Sequence, residues 1–254
     1  PAALPRNQQT IARDLTRRDL KLEPPADLEG PARNQWLGAK PMELDVDGRR
    51  LTGKELVRWK YQRYMQDYLA CVQGVDDGVG RVLDYLDQTG LAKNTVVIYS
   101  ADNGWYLGDL GLYDKRFMYE PGLRVPLVVR GPGIPAGSQP AQIVANIDYA
   151  LTFLDLAGLP VPASMQGHSL VPLLRGDAPA DWRSRLYYRY YHDPGHPNTA
   201  AHLGVRTATH KLIHYWIQDP YEMFDLTRTP PNSATFSIPQ PMPRSPKSLP
   251  DSPN

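Results

Sequence analysis

The sequence predicts an α/β fold, and three features indicate it. After Thr52, apolar residues recur at helical three-and-four spacing for six turns or more. An unbroken β-favouring run follows at 95–99 (TVVIY), of the kind that buried parallel strands carry. From about residue 180, aromatic-rich and loosely alternating segments with turns between them predict a small antiparallel sheet. A helix followed by a buried strand indicates a βαβ-type architecture.

The long helix has recognisable start and stop signals. Thr52 and Glu55 have capping-box spacing, which predicts that each side chain satisfies a backbone donor at the helix start. Gly90 is a typical residue just beyond a helix end. Cys71 lies on the apolar stripe, so we expect it to be a core residue.

Two further elements follow along the chain. Residues 125–129 (VPLVV) predict a second strand, with Pro126 at an edge or at the strand start. Residues 148–157 have apolar spacing that predicts a short helix closed by Gly158. Residues 230–254 contain eight prolines and almost no apolar periodicity, so a disordered Pro-rich tail is expected over 227–254.

Composition excludes several classes of partner. The 254 residues include 28 basic and 27 acidic side chains, a net charge of +1, which provides no field suited to nucleic acid or to anionic lipid. A single cysteine excludes an intrachain disulfide framework, and no apolar run predicts a membrane span. The chain starts at Pro1 without a signal-peptide pattern, and we interpret it as the interior of a longer protein. Its compartment stays open, with a periplasmic or extracellular parent as one alternative.

The loop after the first predicted strand contains Asp102 and Asn103. Ligands of open α/β sheets collect at the carboxyl ends of strands. A carboxylate and an amide oxygen are hard ligands that suit Ca²⁺ or Mg²⁺, although calcium takes about 6–8 oxygens. An ordinary Asx turn ended by Gly104 is the alternative interpretation.

A glycine-containing loop downstream carries Lys115 and Arg116. Lysine is a compact charge suited to an anionic oxygen, whereas arginine forms planar forks to carboxylates or phosphates. The alternative is a solvated loop in which both cations pair with Asp109, Asp114 or Glu120.

Several short blocks then occur in a fixed order. They are 100–104 (SADNG), 107–111 (LGDLG), 114–120 (DKRFMYE), 124–127 (RVPL) and 131–133 (GPG). This order resembles the second signature region of the sulfatases in the alkaline phosphatase superfamily. The resemblance covers roughly residues 50–226.

The resemblance implies the C-terminal part of an alkaline-phosphatase-like α/β sandwich with a small antiparallel C-terminal α+β subdomain. Residues 1–50 would be a surface connection with one short helix, leading from a missing N-terminal half. Residues 50–178 would close the α/β domain, and 179–226 would form the small subdomain.

The resemblance also implies a chemistry. Asp102 and Asn103 would hold part of a Ca²⁺ (or Mg²⁺) site, and Lys115 would neutralise the oxygens of a sulfate ester. The substrate would be a sulfated small molecule or a sulfated carbohydrate. His202 and Arg206 are candidates for the substrate pocket, with a pair on the strand surface as the alternative.

One part of the family pattern is absent from the sequence. The family's nucleophile is a formylglycine made within a Cys/Ser-x-Pro-x-Arg motif, which this chain lacks. Leu110 also stands where the family has histidine. We expect a sulfatase fragment that is inactive alone. The alternatives are a phosphodiesterase or phosphonate monoester hydrolase of the same superfamily, and an inactive truncated remnant.

Overall fold

A computed structural model describes residues 10–191, 199–217 and 221–227. The predicted Pro-rich tail lies outside the described residues, apart from Thr227. The helices are α1 Ile11–Asp14, α2 Gly30–Gly38, α3 Gly53–Gln88, α4 Glu120–Leu123, α5 Asp148–Leu156 and α6 Val171–Arg175. The strands are β1 Glu43–Val46, β2 Arg49–Thr52, β3 Val97–Ser100, β4 Tyr106–Leu107, β5 Tyr113–Asp114, β6 Leu127–Arg130, β7 Arg185–Tyr190, β8 His202–Thr207, β9 His210–His214 and β10 Tyr221–Asp225.

The long helix α3 has the predicted bounds but not the predicted cap. It begins after Thr52 and ends before Gly90, whose φ of +73° suits a glycine beyond a helix terminus. The expected capping box is wrong, because the Thr52 side chain makes no capping hydrogen bond. Glu55 instead lies 3.5 Å from Arg49 of the preceding strand β2, so the ion pair replaces the reciprocal cap.

The C-terminal half of α3 is exposed, which corrects the expectation for Cys71. This cysteine is a free, exposed thiol and not a core residue. Its apolar neighbours on the helix are exposed as well: Leu69, Val72, Val75, Val82 and Tyr85. None of the described elements covers this part of α3. An apolar stripe along a helix therefore did not by itself predict that Cys71 is buried. No helix of the described residues has the length and apolar character that a membrane crossing needs.

The N-terminal segment packs on the first half of α3. Where one short helix was expected, the structure has α1, α2 and the antiparallel hairpin β1–β2. Buried side chains of residues 11–20 contact aromatic residues of α3, and the cluster consists of Ile11, Leu15, Leu20, Trp59, Tyr61 and Tyr64. This burial anchors the helix next to the loop that contains β4 and β5, because Tyr113 packs on the same cluster.

Strands β3 and β6 form an antiparallel pair, with Ile98 opposite Val129. Both strands were predicted, and Pro126 does precede the first residue of β6. The parallel orientation expected for β3 is wrong for this pair, because strand composition does not give the direction of the partner. The carboxyl end of β3 therefore lies beside the start of β6, where the Ser100 hydroxyl donates to the Pro126 carbonyl at 2.8 Å. The expected burial is wrong as well, since no residue of β3 is buried and Tyr99 is 43 % exposed.

The predicted small antiparallel sheet is confirmed, with strand order β10-β9-β8-β7. One of its faces packs on the buried residues that precede α4. The cluster includes Phe117, Met118, Tyr119, Ile213, Tyr215 and Phe224. Gly204 of β8 lies directly beneath this cluster, where an added Cβ would collide with Met118 Sδ and the Leu212 carbonyl oxygen.

We expect Gly204→Ala to lower the free energy of unfolding by about 1–3 kcal/mol, because overpacking a filled core displaces its neighbours. Gly74→Ala is the matched control. Gly74 lies within α3 with open space around its Cα, so alanine should stabilise by roughly 0.5–1 kcal/mol through helix propensity. Urea unfolding followed by circular dichroism measures both. Equal effects of the two substitutions would contradict the packing described for Gly204.

Candidate functional site

The loop after β3 is held by backbone contacts with the loop around α4. The Gly104 amide donates to the Gly122 carbonyl at 3.1 Å. A Cβ at Gly104 would collide with the backbone of Pro121 and Arg124. Glycine is therefore required here for the close approach of the two backbones, independent of any ligand.

Asp102 and Asn103 differ in exposure. The Asp102 side chain is exposed, and its carboxylate makes no hydrogen bond to a described residue. Its backbone carbonyl accepts a hydrogen bond from Asn146 Nδ2 at 2.9 Å, just before α5. Asn103 is half-buried, and its Nδ2 donates to the Gly104 carbonyl at 2.8 Å, which leaves Oδ1 directed elsewhere.

Lys115 and Asn103 meet in space. The Lys115 ammonium donates to Asn103 Oδ1 at 2.8 Å, although the residues are 12 positions apart. The same ammonium lies 5.6 Å from the centre of the Trp105 ring, whose face attracts cations. The interpretation of this loop as two cations paired with loop acids therefore holds for Arg116, which forms an ion pair with Asp114, but not for Lys115.

The turn between β4 and β5 has an unusual backbone. Gly108, Leu110 and Gly111 all have positive φ, of +102°, +58° and +73°. A leucine in this region is uncommon, because its Cβ approaches the following carbonyl. Leu110 is also 37 % exposed, so the position where the sulfatase resemblance implies a histidine carries an apolar side chain at the surface.

His202 lies in the core. It is completely buried and stacked on Phe117 and Tyr190, each at a ring separation of 5.6 Å. Its Nδ1 lies 2.8 Å from the Ala200 carbonyl, and its Nε2 has no hydrogen-bond partner among the described residues. Burial lowers the pKa of this imidazole, which favours the neutral ring.

Arg206 is engaged by a carboxylate. Its guanidinium donates to Glu120 at 3.1 Å, and the Lys211 ammonium donates to the same carboxylate at 3.0 Å. Burial raises the pKa of Glu120, but the hydrogen bonds and charges of the two cations outweigh it, so the pKa lies below its usual value. Burial lowers the pKa of Lys211 in the same cluster, partly offset by Glu120.

Sequence analysis missed the role of Glu120, although a signal existed. Arg206 and Lys211 are directly opposite each other in the β8–β9 register. Like charges opposite each other on a sheet are destabilising, which indicates that an anion lies between them. The sequence suggests Glu120 only as a partner for Lys115 or Arg116.

A second half-buried carboxyl lies nearby. Glu222 accepts hydrogen bonds from the Tyr119 hydroxyl at 2.9 Å and the Tyr215 hydroxyl at 3.2 Å. Burial raises the pKa of Glu222, although the two hydroxyls and the charge of Lys211 act in the opposite direction. Both half-buried carboxyls, Glu120 and Glu222, therefore connect the segment after Lys115 to the small sheet.

The described residues contain no group of three or more His, Cys, Asp or Glu side chains that could hold a metal ion. Asp102 and Asn103 offer a carboxylate and an amide oxygen, the types of ligand that Ca²⁺ prefers. Asn103 Oδ1 already accepts from Lys115, but a carbonyl oxygen has a second lone pair.

Comparison with known families decides the affiliation. The family described as "Sulfatase" matches residues 8–159, and the family described as "N-sulphoglucosamine sulphohydrolase, C-terminal" matches residues 108–239. The chain belongs to the sulfatase family. The match starts at residue 8, well upstream of residue 50, where the sequence blocks had indicated the resemblance begins.

Relatives and solved structures agree with this affiliation. An N-acetylglucosamine-6-O-sulfatase of Bacteroides thetaiotaomicron is 48 % identical over 184 residues, which cover 71 % of this chain and 33 % of the relative. The structure of BT4656 in complex with its substrate D-glucosamine-2-N,6-O-disulfate has a TM-score of 0.69 and 47 % identity, covering 72 % of this chain and 38 % of that one. The phosphonate monoester hydrolase of Silicibacter pomeroyi is more distant, with a TM-score of 0.60, 28 % identity and coverage of 67 % and 36 %. The sulfatase chain described here thus spans about a third of the length of these relatives.

The Glu120 cluster predicts a specific pH dependence of stability. Because the folded-state pKa of Glu120 lies below the ordinary glutamate value of 4.5, the stabilisation is complete above pH 4.5 and is lost as the pH falls through the folded-state pKa. We expect Glu120→Gln to cost about 3 kcal/mol at pH 7, since buried Lys211 and half-buried Arg206 lose their counter-charge. Urea unfolding of both proteins from pH 3 to 7 measures the difference. A difference that does not shrink in acid would contradict the role of the Glu120 charge.

Proposed function

We propose that this chain is the part of a sulfuric ester hydrolase that supplies an anion-binding lysine and two oxygen ligands for a cation. The hydrogen bond between Lys115 Nζ and Asn103 Oδ1 supports this most directly. It places a fixed ammonium charge beside the amide oxygen at the carboxyl end of β3. Ligands of open α/β sheets collect at the carboxyl ends of strands, and Asn103 follows the carboxyl end of β3, although the antiparallel β6 begins at this same end.

Lys115 suits a sulfate oxygen because its ammonium is hydrogen-bonded to a neutral amide and has donors left over. An ammonium carries three N–H donors, and the described residues use one of them, on Asn103. Its hydrogen-bonding partner is a neutral amide and not a carboxylate, so its positive charge is not cancelled. Such a charge would stabilise the negative charge that develops on a transferring ester group.

Asp102 and Asn103 are the residues that would hold the cation, which we propose is Ca²⁺ or Mg²⁺. The exposed carboxylate of Asp102 and the amide oxygen of Asn103 fit a hard ion. A bound cation would supply a second positive charge at the ester oxygens. Two oxygens are below the usual coordination number, so the proposal requires further ligands from residues other than these two.

The proposed substrate is a sulfated carbohydrate of the glucosamine class. A relative that is 48 % identical is an N-acetylglucosamine-6-O-sulfatase, and a structure that is 47 % identical has a sulfated glucosamine as its substrate. A phosphonate monoester hydrolase is the second candidate, favoured by the structural likeness at 28 % identity. The higher identity to sulfatases over a similar part of the chain supports the first.

We expect no turnover of an aryl sulfate by the 254-residue chain alone, with or without Ca²⁺, because its sequence lacks the motif of the family's nucleophile. The measurement is a colorimetric assay at high protein concentration. Hydrolysis above that of a Lys115→Ala variant would contradict this expectation and would require another nucleophile within the chain.

The role of Lys115 can be measured after grafting this chain into the Bacteroides relative in place of its matching 184 residues. We expect Lys115→Ala to lower kcat about 10²–10³-fold, as is typical when one fixed charge on an oxyanion is lost. Lys93→Ala, an exposed lysine away from this loop, is the control. Comparison of 6-O-sulfated N-acetylglucosamine with an aryl phosphonate separates the two candidate functions. Equal activity of the Lys115 and Lys93 variants would refute the assigned role.

A further inference from the structure

The segment 116–120 follows Lys115 directly and is joined to every strand of the small sheet. Each strand contributes at least one polar contact to this segment. Tyr188 of β7 donates to the Arg116 carbonyl at 3.0 Å, and Arg206 of β8 donates to Glu120 at 3.1 Å. Lys211 of β9 donates to Glu120 at 3.0 Å, and Glu222 of β10 accepts from the Tyr119 hydroxyl at 2.9 Å.

Apolar packing fixes the same segment. Phe117, Met118 and Tyr119 are at most 5 % exposed and belong to one core cluster with the inner face of the sheet. The Tyr106 hydroxyl donates to the Phe117 carbonyl from the opposite side, where β4 lies. The residues immediately after Lys115 are therefore among the most constrained in the described chain.

Lys115 itself has few constraints of its own. It is half-buried, and its ammonium contacts Asn103 and the face of Trp105. A single hydrogen bond from a flexible four-carbon side chain contributes little to its position, because holding a long side chain costs rotamer entropy. The position of its backbone must therefore be set by its neighbours in sequence.

We infer that Glu120 and Arg206 are positioning residues, which hold the backbone of Lys115 at the distance where its ammonium reaches Asn103. This inference deepens the proposed function and rests on it for its catalytic meaning. It assigns Arg206 a role through Glu120 in place of direct contact with substrate. A displacement of about 1 Å in a reacting group can cost 10²-fold in rate, so an ion pair remote from the substrate can still affect turnover.

The charge arrangement explains why the cluster is sensitive. Lys211 is only 2 % exposed and Arg206 has a side-chain exposure of 19 %, so both cations depend on Glu120 for neutralisation. Removal of the carboxylate leaves two opposed cations in a poorly solvated site, and they repel each other. The expected relaxation is a separation of α4 from β8 and β9, which would carry residues 116–119 with it.

The test measures the accessibility of Lys115 by competitive acylation and mass spectrometry, in the intact 254-residue chain without metal or sulfate. The exposed Lys93 is the internal reference. We expect Glu120→Gln and Arg206→Ala to raise the acylation rate of Lys115, relative to Lys93, by at least about fivefold, because local opening exposes the side chain. Arg206→Lys should give an intermediate rate, since it keeps the charge but loses the planar fork.

Lys60→Met is the matched control. Lys60 is also fully buried, and its ammonium donates to the Ala12 carbonyl, away from the segment 116–120 and the small sheet. We expect this variant to lose stability while the acylation rate of Lys115 stays unchanged. A rise of similar size in Lys60→Met would show a general loss of stability and would overturn the inference. An unchanged Lys115 rate in folded Glu120→Gln would also overturn it.

The near-ultraviolet circular dichroism spectrum establishes which variants are folded. If Glu120→Gln fails to fold, the Arg206→Lys variant provides the test instead. An unchanged acylation rate of Lys115 in folded Arg206→Lys would then overturn the inference. Sulfate binding to the unsubstituted chain is measured separately by calorimetry. Suppose that the acylation rate of Lys115 rises in Glu120→Gln and Arg206→Ala, but that Lys115→Ala does not change sulfate binding. This result would refute the proposed function and leave the positioning role intact.

Discussion

The carboxylate of Glu120 lies between Arg206 and Lys211, at distances of 3.1 and 3.0 Å, in a site that water barely reaches. An ion cluster of this kind is costly to bury and is stable only while each charge has its partners. It joins the first residue of α4 to two adjacent strands of the small sheet. The loop of Lys115 and the sheet are therefore parts of one packed unit, and the geometry of the candidate site depends on both.

A second consequence concerns how charge is distributed around that loop. Arg116 is neutralised by Asp114, whereas Lys115 contacts only an amide oxygen and an aromatic face. Two adjacent cations thus have different surroundings, and under the proposed function the uncompensated charge of Lys115 is the one that would meet an anionic ligand. Asp102 is exposed, its carboxylate has no hydrogen-bond partner among the described residues, and we propose it as the corresponding group for a cation. Sites of this type place fixed charges of both signs where a charged ester would lie.

Much of the fold could be predicted from the sequence. The bounds of α3, the existence of β3 and β6, the helix α5 and the small antiparallel sheet follow from periodicity and turn residues. The failures have physical causes. The capping box at Thr52 was displaced by an ion pair from Arg49 to Glu55, and Cys71 is exposed because no described element covers its side of α3. The orientation of β3 against β6 could not be predicted, because strand composition does not encode the direction of a partner.

The sequence by itself determined which residues belong to the candidate site, since ordered blocks marked Asp102, Asn103 and Lys115 as members of a family pattern. Only the tertiary structure shows where Arg206 and His202 lie. Both were candidates for a substrate pocket, yet Arg206 is held by Glu120, 86 positions away in the sequence, and His202 is buried among aromatic rings. Contacts of such sequence separation arise from packing of the small sheet on residues 116–120. Local sequence patterns extend over only a few residues, so they cannot predict contacts between residues this far apart in the sequence.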